Sequence, residues 1–324
     1  MDHGTRKALY ERIERDRDTR VLALVNSERG GLETGIAADA VAPFVALLDD
    51  IGPTHRLSLI LDTNGGHTSA GWRLINLIRS FCEDLEVIVP TKSMSTGTLM
   101  ALGADKIVMT KQAALGPIDP SLTNDPLAPK IQTPTGQLVS IPVSAEAVRG
   151  YIEEVKKDVT DPTALATVWN QLSTQIHPLV LGRIFRLGGQ IRSLAGDLIK
   201  AQVKDEKTRE EIIQLLSSDS GSHDYTINRR KAADMGLNIV KPTADEYAIL
   251  RDITKSYHSE LKTFEPYSLQ GLLAGQPSQA YTLVRGLIES TDSSYGYVSE
   301  GTVAEPQPGN IVDQKAFEGW RKLP

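Results

Sequence analysis

Two short turns contain the residues whose types and spacing could do chemistry. Asn64-Gly65-Gly66 follows an apolar run at 57–63, and Ser95 lies in the small-residue segment 94–98 after a second apolar run. Adjacent glycines let a backbone turn direct its N–H groups outward at the start of a helix. A serine hydroxyl beside free amides can act as a nucleophile while the amides hold an oxyanion. The two turns therefore predict half of an acyl-transfer site.

Alternating strand-length and helix-period segments predict the scaffold that holds these turns. Such alternation is typical of parallel strands joined by crossover helices. The expected elements are strand 21–25, helix 38–50, strand 57–63, helix 69–81, strand 86–90, helix 95–104 and strand 106–110. Both turns follow strands, and sites in open α/β sheets form at the carboxyl ends of strands. We therefore expect the turns to meet at one sheet edge. The polar, glycine-rich segment 26–35 is expected to be a surface loop.

The order of these motifs resembles a known superfamily. A Gly-Gly turn, a helix, a strand and a Ser-x-Gly turn opening a helix that ends Ala-Asp-Lys-Ile-Val-Met are similar to the Clp/SppA serine peptidases. Within that superfamily, residues 94–98 followed by Leu115-Gly116-Pro117-Ile118-Asp119-Pro120 most resemble the SDH family of Clp-fold serine proteinases, also called serine dehydrogenase proteinases. Segments 177–179 and 222–225 fit the same family. The resemblance covers residues 20 to 240 and is strongest from 57 to 122.

The resemblance implies an α/β Clp/crotonase-like fold of stacked βαβ units, followed by a largely helical region and a C-terminal hairpin or tail. It implies that Ser95 is the nucleophile and that the N–H groups of Gly66 and Thr96 form the oxyanion hole. Gly65 and His67 are expected at the substrate-binding cleft. The alternative for Ser95 is an ordinary helix N-cap, a role worth about 1 kcal/mol.

The general base is the weakest part of the motif. Clp subunits carry a histidine after the strand that follows the serine helix, but this chain has residues 116–120 there and no histidine between His67 and His177. His177 and His223 are expected to cap or pack helices, although either could reach the site. SppA-like relatives use a downstream lysine, which works as a base only if burial or a neighbouring cation lowers its pKa.

Three lysines and one aspartate are candidates for this role. Lys130 begins an expected hairpin with Thr135-Gly136 at its turn, whereas Lys156 and Lys157 lie late in an expected helix from residue 145. We favour Lys156 or Lys157 narrowly over Lys130, and each has the alternative role of a solvated cation. Asp119 could orient the base or cap a turn.

Composition limits the class of protein. The 324 residues are 40% hydrophobic and 23% charged with a net charge of −6, which indicates a globular protein and argues against a nucleic-acid-binding surface. The charged N-terminus and the lack of a long apolar run predict no signal peptide and no transmembrane segment. Cys82 is the single cysteine, so we expect a cytoplasmic location. Metal and nucleotide motifs are absent from the sequence, which predicts chemistry without a cofactor.

The expected organisation has four parts: an N-terminal helical arm at 1–20, a catalytic core with a proline-rich hairpin insertion at 21–143, a helical continuation at 144–240 and a C-terminal extension at 241–324. Within the extension, segments 281–290 and 295–303 predict a hairpin, and 314–321 predicts a short terminal helix.

The leading hypothesis is a serine endopeptidase acting on peptides or proteins. The alternatives are a crotonase-like acyl-thioester enzyme, which would not need Ser95, and a non-catalytic, ring-forming scaffold. By resemblance we expect a homo-oligomer in a ring or stacked ring, with a possible unfoldase or adaptor partner and catalytic groups shared between subunits.

Overall fold

A computed structural model describes the chain over residues 2–122, 125–133, 136–218, 225–307 and 309–324. The chain divides into two compact units. The first comprises Met1–Gly116, Leu198–Glu206 and Thr226–Pro324, and the second comprises Pro117–Asp197 and Lys207–Tyr225. Both predicted turns therefore belong to the first unit, whereas the three candidate lysines and Asp119 belong to the second.

The helices and strands have the following bounds. The α-helices are α1 (His3–Arg17), α2 (Val41–Ile51), α3 (Thr68–Arg79), α4 (Thr96–Leu102), α5 (Ala145–Asp158), α6 (Pro162–Gln175), α7 (Pro178–Leu198), α8 (Glu206–Ser217), α9 (Arg229–Asp234), α10 (Ala244–Glu260) and α11 (Leu269–Leu273). The strands are β1 (Arg20–Asn26), β2 (Thr54–Asp62), β3 (Cys82–Val89), β4 (Lys92–Ser93), β5 (Lys106–Met109), β6 (Ala114–Leu115), β7 (Ser121–Leu122), β8 (Lys130–Gln132), β9 (Leu138–Ser140), β10 (Val143–Ser144), β11 (Ile227–Asn228), β12 (Ile239–Val240), β13 (Ser278–Ser290), β14 (Ser294–Gln307) and β15 (Asn310–Lys322).

The first unit is built on an eight-stranded sheet with the order β12-β5-β3-β2-β1-β13-β14-β15. The five strands from β12 to β1 are parallel, because crossover segments return the chain to the same end of the sheet between strands. β13, β14 and β15 extend the sheet as antiparallel strands. The α/β fold of βαβ units that the sequence predicts is confirmed.

The parallel strands are apolar on both faces because both faces are covered. The successive residues Leu59, Ile60 and Leu61 of β2 are all fully buried. Side chains of α1 and α10, including Tyr10 and Ile253, form one core cluster with alternate residues of the strands. Among the described residues, no helix combines the length and the apolar composition that a membrane-spanning segment needs.

The second unit consists mainly of α5, α6, α7 and α8, and α5 begins at Ala145, where the sequence predicts a helix to start. One of its apolar clusters contains Val143, Val148, Val180 and Leu181. The predicted hairpin is present as β8 and β9, in which Lys130 is paired with Ser140. Thr135 of its expected turn lies outside the described residues, as do Ser222, His223 and Asp224.

The predicted C-terminal hairpin is confirmed as β13 and β14, but the short helix expected at 314–321 is wrong. Those residues belong to β15, which pairs with β14 along most of its length. Cross-strand contacts outweigh the local pattern here, since Tyr297 packs edge-on against Trp320 with ring centroids 5.4 Å apart, and Tyr281 donates a hydrogen bond to Asp313 at 2.6 Å. The segment expected as an extension is thus part of the main sheet.

The expected N-terminal arm is α1, and a buried ion pair joins it to β13. The fully buried Arg6 donates hydrogen bonds to both carboxylate oxygens of Glu289, at 2.8 and 2.5 Å. Tyr10 and Ser294 also donate to this carboxylate, each at 2.7 Å. The two ends of the first unit are therefore held together by a satisfied polar network inside the core.

Replacing Arg6 by Met should lower the free energy of unfolding by about 3–5 kcal/mol, because Glu289 would remain buried without its cation. The measurement is urea denaturation at neutral pH. Arg12→Met on the same helix is the matched control, since Arg12 is half-exposed in a pair with Asp16 and should cost less than about 1 kcal/mol. Equal losses in both variants would contradict a structural role for the buried pair.

Candidate active site

The glycine turn connects β2 to α3 and depends on backbone conformations that favour glycine. Gly65 has a φ of +108° and Gly66 a φ of +152°. The turn is fixed on one side by Thr63, whose hydroxyl accepts from the N–H of Gly65 at 3.0 Å and donates to Asn26 at 2.7 Å. On the other side Ile36 forms a β-bridge with Gly66, and a Cβ on Gly66 would lie 2.2 Å from the carbonyl oxygen of Ile36.

Ser95 has an unusual backbone conformation at the start of α4. Its φ of +50° and ψ of −115° lie outside the left-handed helical region. The other non-glycine residues of positive φ in the described chain are Asp18, Lys262 and Ala274. All three follow the ends of helices, where positive φ is common, whereas Ser95 precedes a helix. Such a conformation costs about 1–3 kcal/mol and tends to occur at functional sites.

The two turns are in contact. A Cβ on Gly65 would lie 2.9 Å from the Cβ of Ser95 and 3.2 Å from the backbone nitrogen of Thr96. The hydroxyl of Thr96 donates a hydrogen bond to the carbonyl of Gly66 at 2.7 Å. Glycine at position 65 is therefore required by its positive φ and also by the close approach of the serine turn.

Backbone N–H groups of both turns are left out of the regular hydrogen bonding. The bridge to Ile36 uses the carbonyl of Gly65 and the N–H of His67, each at 2.8 Å, and does not use the N–H of Gly66. Thr96 is the first residue of α4, so its N–H has no partner within the helix. Ser95 makes no side-chain capping hydrogen bond, which argues against the N-cap interpretation of this serine.

A buried carboxyl group, which is not among the residues that the sequence motifs point to, ends the strand that leads to the glycine turn. Asp62 is 4% exposed and accepts a hydrogen bond from the hydroxyl of Thr91 at 2.6 Å. Burial raises the pKa of Asp62 to about 6; the bond from Thr91 opposes this shift, the charge of Glu28 adds to it and that of Lys92 opposes it. An acidic residue at the end of an apolar strand was the available signal.

The loop at 26–35 lies partly in the interior of the protein. It was expected at the surface, but Asn26, Ser27, Arg29 and Leu32 are buried. The polar residues are accommodated because their side chains are hydrogen-bonded: Asn26 accepts from Thr63, and Arg29 donates to the carbonyls of residues 265 and 266, both at 3.0 Å. This loop leads directly into Ile36, the bridge partner of Gly66.

His67 directly follows the glycine turn. It is exposed, and it lines a cavity of about 250 Å³ together with Gly66, Ile36, Arg285, Tyr297 and Trp320. Three of these residues come from the C-terminal strands, which the sequence did not connect with the site. The cavity gives Gly66 and His67 access to solvent from the side of the C-terminal strands.

The candidate bases belong to the second unit. Lys130 is exposed on β8, and Lys156 is exposed in the last turn of α5. Lys157 is paired with Glu154 at 2.6 Å, which raises the pKa of Lys157, the opposite of what a general base needs. Asp119 is buried. His177 accepts from the N–H of Leu179 at 3.2 Å through its Nδ1, consistent with the expected capping role.

Comparison with known families concerns the region that contains both turns. Residues 3–137 match the family of ClpP-like SDH-type serine proteinases. The resemblance inferred from the sequence is confirmed for these residues. The family is one of serine proteinases, and the matched SDH-type region includes Gly65, Gly66, Ser95 and Thr96.

Individual relatives are more distant. An uncharacterized protein of Methanocaldococcus jannaschii is 29% identical over 217 residues, which are 66% of this chain and 64% of that protein. The match thus spans less than two thirds of the relative's length. The membrane-bound stomatin-specific protease 1510-N aligns with a TM-score of 0.37 at 15% identity, over 65% of this chain and 77% of that one. ClpP1 from Listeria monocytogenes aligns with a TM-score of 0.36 at 14% identity, over 72% of this chain and 98% of that one.

The buried carboxyl of Asp62 makes stability depend on pH. Well below pH 3.8, the ordinary pKa of an aspartate, this carboxyl is protonated in both the folded and the unfolded chain. As pH rises from there toward 6, the unfolded chain loses its proton before the folded chain does, so the folded state loses stability. We expect Asp62→Asn to gain up to about 3 kcal/mol relative to wild type between pH 4 and pH 7. Denaturant unfolding across this range measures it.

Asp50→Asn, which changes an exposed carboxyl at the end of α2, provides the baseline for that comparison. An Asp62→Asn difference that is independent of pH would show that Asp62 does not titrate in this window.

Proposed function

We propose that this chain is a serine peptidase that hydrolyses peptide bonds with Ser95 as its nucleophile. The observation that carries the proposal is the backbone of Ser95, which is held at positive φ before a helix and in contact with the glycine turn. Strained serine turns between a strand and a helix expose the hydroxyl for attack. The match of residues 3–137 to a serine proteinase family supports the same conclusion.

The proposed reaction is acyl transfer in two steps. The Ser95 hydroxyl oxygen attacks the peptide carbonyl carbon and passes its proton to a general base. The tetrahedral oxyanion accepts hydrogen bonds from the N–H groups of Gly66 and Thr96. Collapse of this intermediate releases the amine, which takes the proton from the base, and leaves an acyl ester on Ser95. Water then hydrolyses the ester by the same route in reverse. Gly65 and His67 border the bound peptide.

The general base in this proposal is a lysine, either Lys130 or Lys156. Both side chains are exposed in the single chain, so their pKa must be lowered by burial against a bound peptide or a neighbouring subunit. Lys157 is the less suitable candidate because its ion pair with Glu154 favours the protonated form. Asp119, close in sequence to the matched motif, is proposed to orient the base. No cofactor takes part.

The proposal includes assembly into a homo-oligomer, in which a neighbouring subunit can supply the base. Exposed apolar side chains in the second unit support it, among them Leu138 at 69%, Leu179 at 58% and Ile131 at 53% exposure. We propose that these side chains are part of an apolar surface that associates, as contiguous exposed apolar patches do. We also propose that the protein is cytoplasmic and that an unfoldase or an adaptor protein is its partner.

Ser95→Ala should abolish labelling by a fluorophosphonate probe and lower peptide hydrolysis by at least about a thousandfold, because the nucleophile is lost. Ser95→Gly should be equally inactive but more stable by about 1 kcal/mol, since glycine relieves the positive φ. Ser69→Ala, at an exposed serine on α3, is the control. Undiminished labelling of Ser95→Ala would remove Ser95 from its role, and thioester turnover by this variant would favour a crotonase-like enzyme.

The base can be identified by replacing each lysine with alanine. We expect either Lys130→Ala or Lys156→Ala to lose hydrolysis by at least about a hundredfold, while Lys157→Ala retains it. Mixing the inactive lysine variant with Ser95→Ala should restore part of the activity if a neighbouring subunit supplies the base. Full activity in all three lysine variants would exclude these residues as the base.

A further inference from the structure

Four basic side chains line one concave region of the first unit. Lys111, Arg229 and Lys241 border two adjoining clefts of about 620 and 610 Å³, and Arg230 borders the second of them. We call these four residues and the space between them the basic cleft. Tyr247 contributes an aromatic wall, with the Lys111 Nζ 4.6 Å from its ring centroid.

The topology of the sheet explains why these residues meet. Lys111 follows the end of β5, and Lys241 follows the end of β12. These two strands are parallel neighbours, so both lysines lie at the carboxyl edge of the sheet, where α/β folds bind ligands. Arg229 and Arg230 begin α9 directly after β11. The main-chain carbonyl of Met109, the last residue of β5, accepts a hydrogen bond from Arg229 at 3.2 Å and holds that side chain at the same edge.

The charges of the basic cleft are not neutralised by carboxylates. Over the described ranges, none of its four cations forms a salt bridge, whereas the nearby Glu246 is already paired with Arg17 at 2.5 Å. Four cations in one concavity raise the local potential and attract anions. The cluster is more conspicuous because the chain as a whole has a net charge of −6. Nothing in the serine peptidase mechanism uses it.

We infer that the basic cleft binds a small anion that carries several phosphate groups. Two arginine guanidinium groups can each bind a phosphate in bidentate geometry, and two lysines add point charges. The cleft volumes fall in the range of small-molecule sites. A nucleic acid would require a basic surface that continues beyond these residues, and the acidic balance of the chain opposes such an extended track.

Calorimetric titration of the full chain with tripolyphosphate tests this inference without reference to peptidase activity. We expect saturable binding of one ligand per chain that weakens as salt is added. Arg230→Glu and Lys241→Glu, whose side chains are exposed, should each weaken binding by about tenfold or more. Circular dichroism verifies that both variants remain folded.

Lys322→Glu is the matched control, because it makes the same charge change on an exposed residue. Lys322 lies on β15, and β15 and β12 are the outermost strands on opposite sides of the sheet. Its affinity for tripolyphosphate should equal that of wild type. Absence of saturable binding, or an equal loss in Lys322→Glu, would overturn the inference. Tighter binding of an oligoglutamate peptide or of a short DNA duplex than of tripolyphosphate would also overturn it, in favour of an acidic protein segment or a nucleic acid.

Discussion

The contact between Gly65 and Ser95 is the constraint on which the candidate site depends. A side chain at position 65 would collide with the Cβ of Ser95 and approach the N–H of Thr96, so the two turns can meet only if the first contains glycine. Ser95 adopts a costly backbone conformation, whereas the positive φ of Gly65 and Gly66 is one that glycine adopts readily. The surrounding structure offsets that cost through the hydrogen bond from Thr96 to Gly66 and the bridge between Gly66 and Ile36. The glycine turn and the serine turn are thereby held in contact with each other.

Parts of the chain that are distant in sequence hold the glycine turn in place. Ile36, which holds the glycine turn, follows a loop whose backbone is fixed by Arg285 of β13; Arg285 donates to the carbonyls of Leu32 and Glu33 at 3.3 and 2.8 Å. β13 is in turn joined to α1 through the buried pair of Arg6 and Glu289. The C-terminal strands therefore belong to the framework of the candidate site. The C-terminal strands, whose role the sequence motifs alone did not explain, therefore help to hold the glycine turn in place.

The first unit contains charged side chains that form ion pairs and charged side chains that do not. Most buried charges, such as Glu289 and Glu86, are matched by arginine, which limits the cost of removing them from water. Asp62 and the basic cleft differ from this rule in opposite ways. Asp62 is buried and accepts a hydrogen bond from a hydroxyl, and the nearby charges of Lys92 and Glu28 act on it in opposite directions. The cleft gathers exposed cations that form no salt bridge within the described ranges. Buried carboxyl groups with a raised pKa and clusters of like charges are both often found at functional sites.

The sequence alone determined the local elements and the two turns. Hydrophobic periodicity and glycine placement are local properties, so they can be recognised without the tertiary structure. β1, β2 and β5 and the helices α2, α3 and α4 lie close to their predicted bounds, β3 begins four residues earlier than predicted, and the short β4 was not predicted. The match of residues 3–137 agrees with the motif at Ser95. Tertiary structure decided the rest. Residues 314–321 became a strand because β14 offers them an open edge, and Asn26 became buried because it pairs with Thr63. The positive φ of Ser95 could not be predicted from the sequence either, since no local preference of serine specifies it and it occurs where the serine turn packs against the glycine turn.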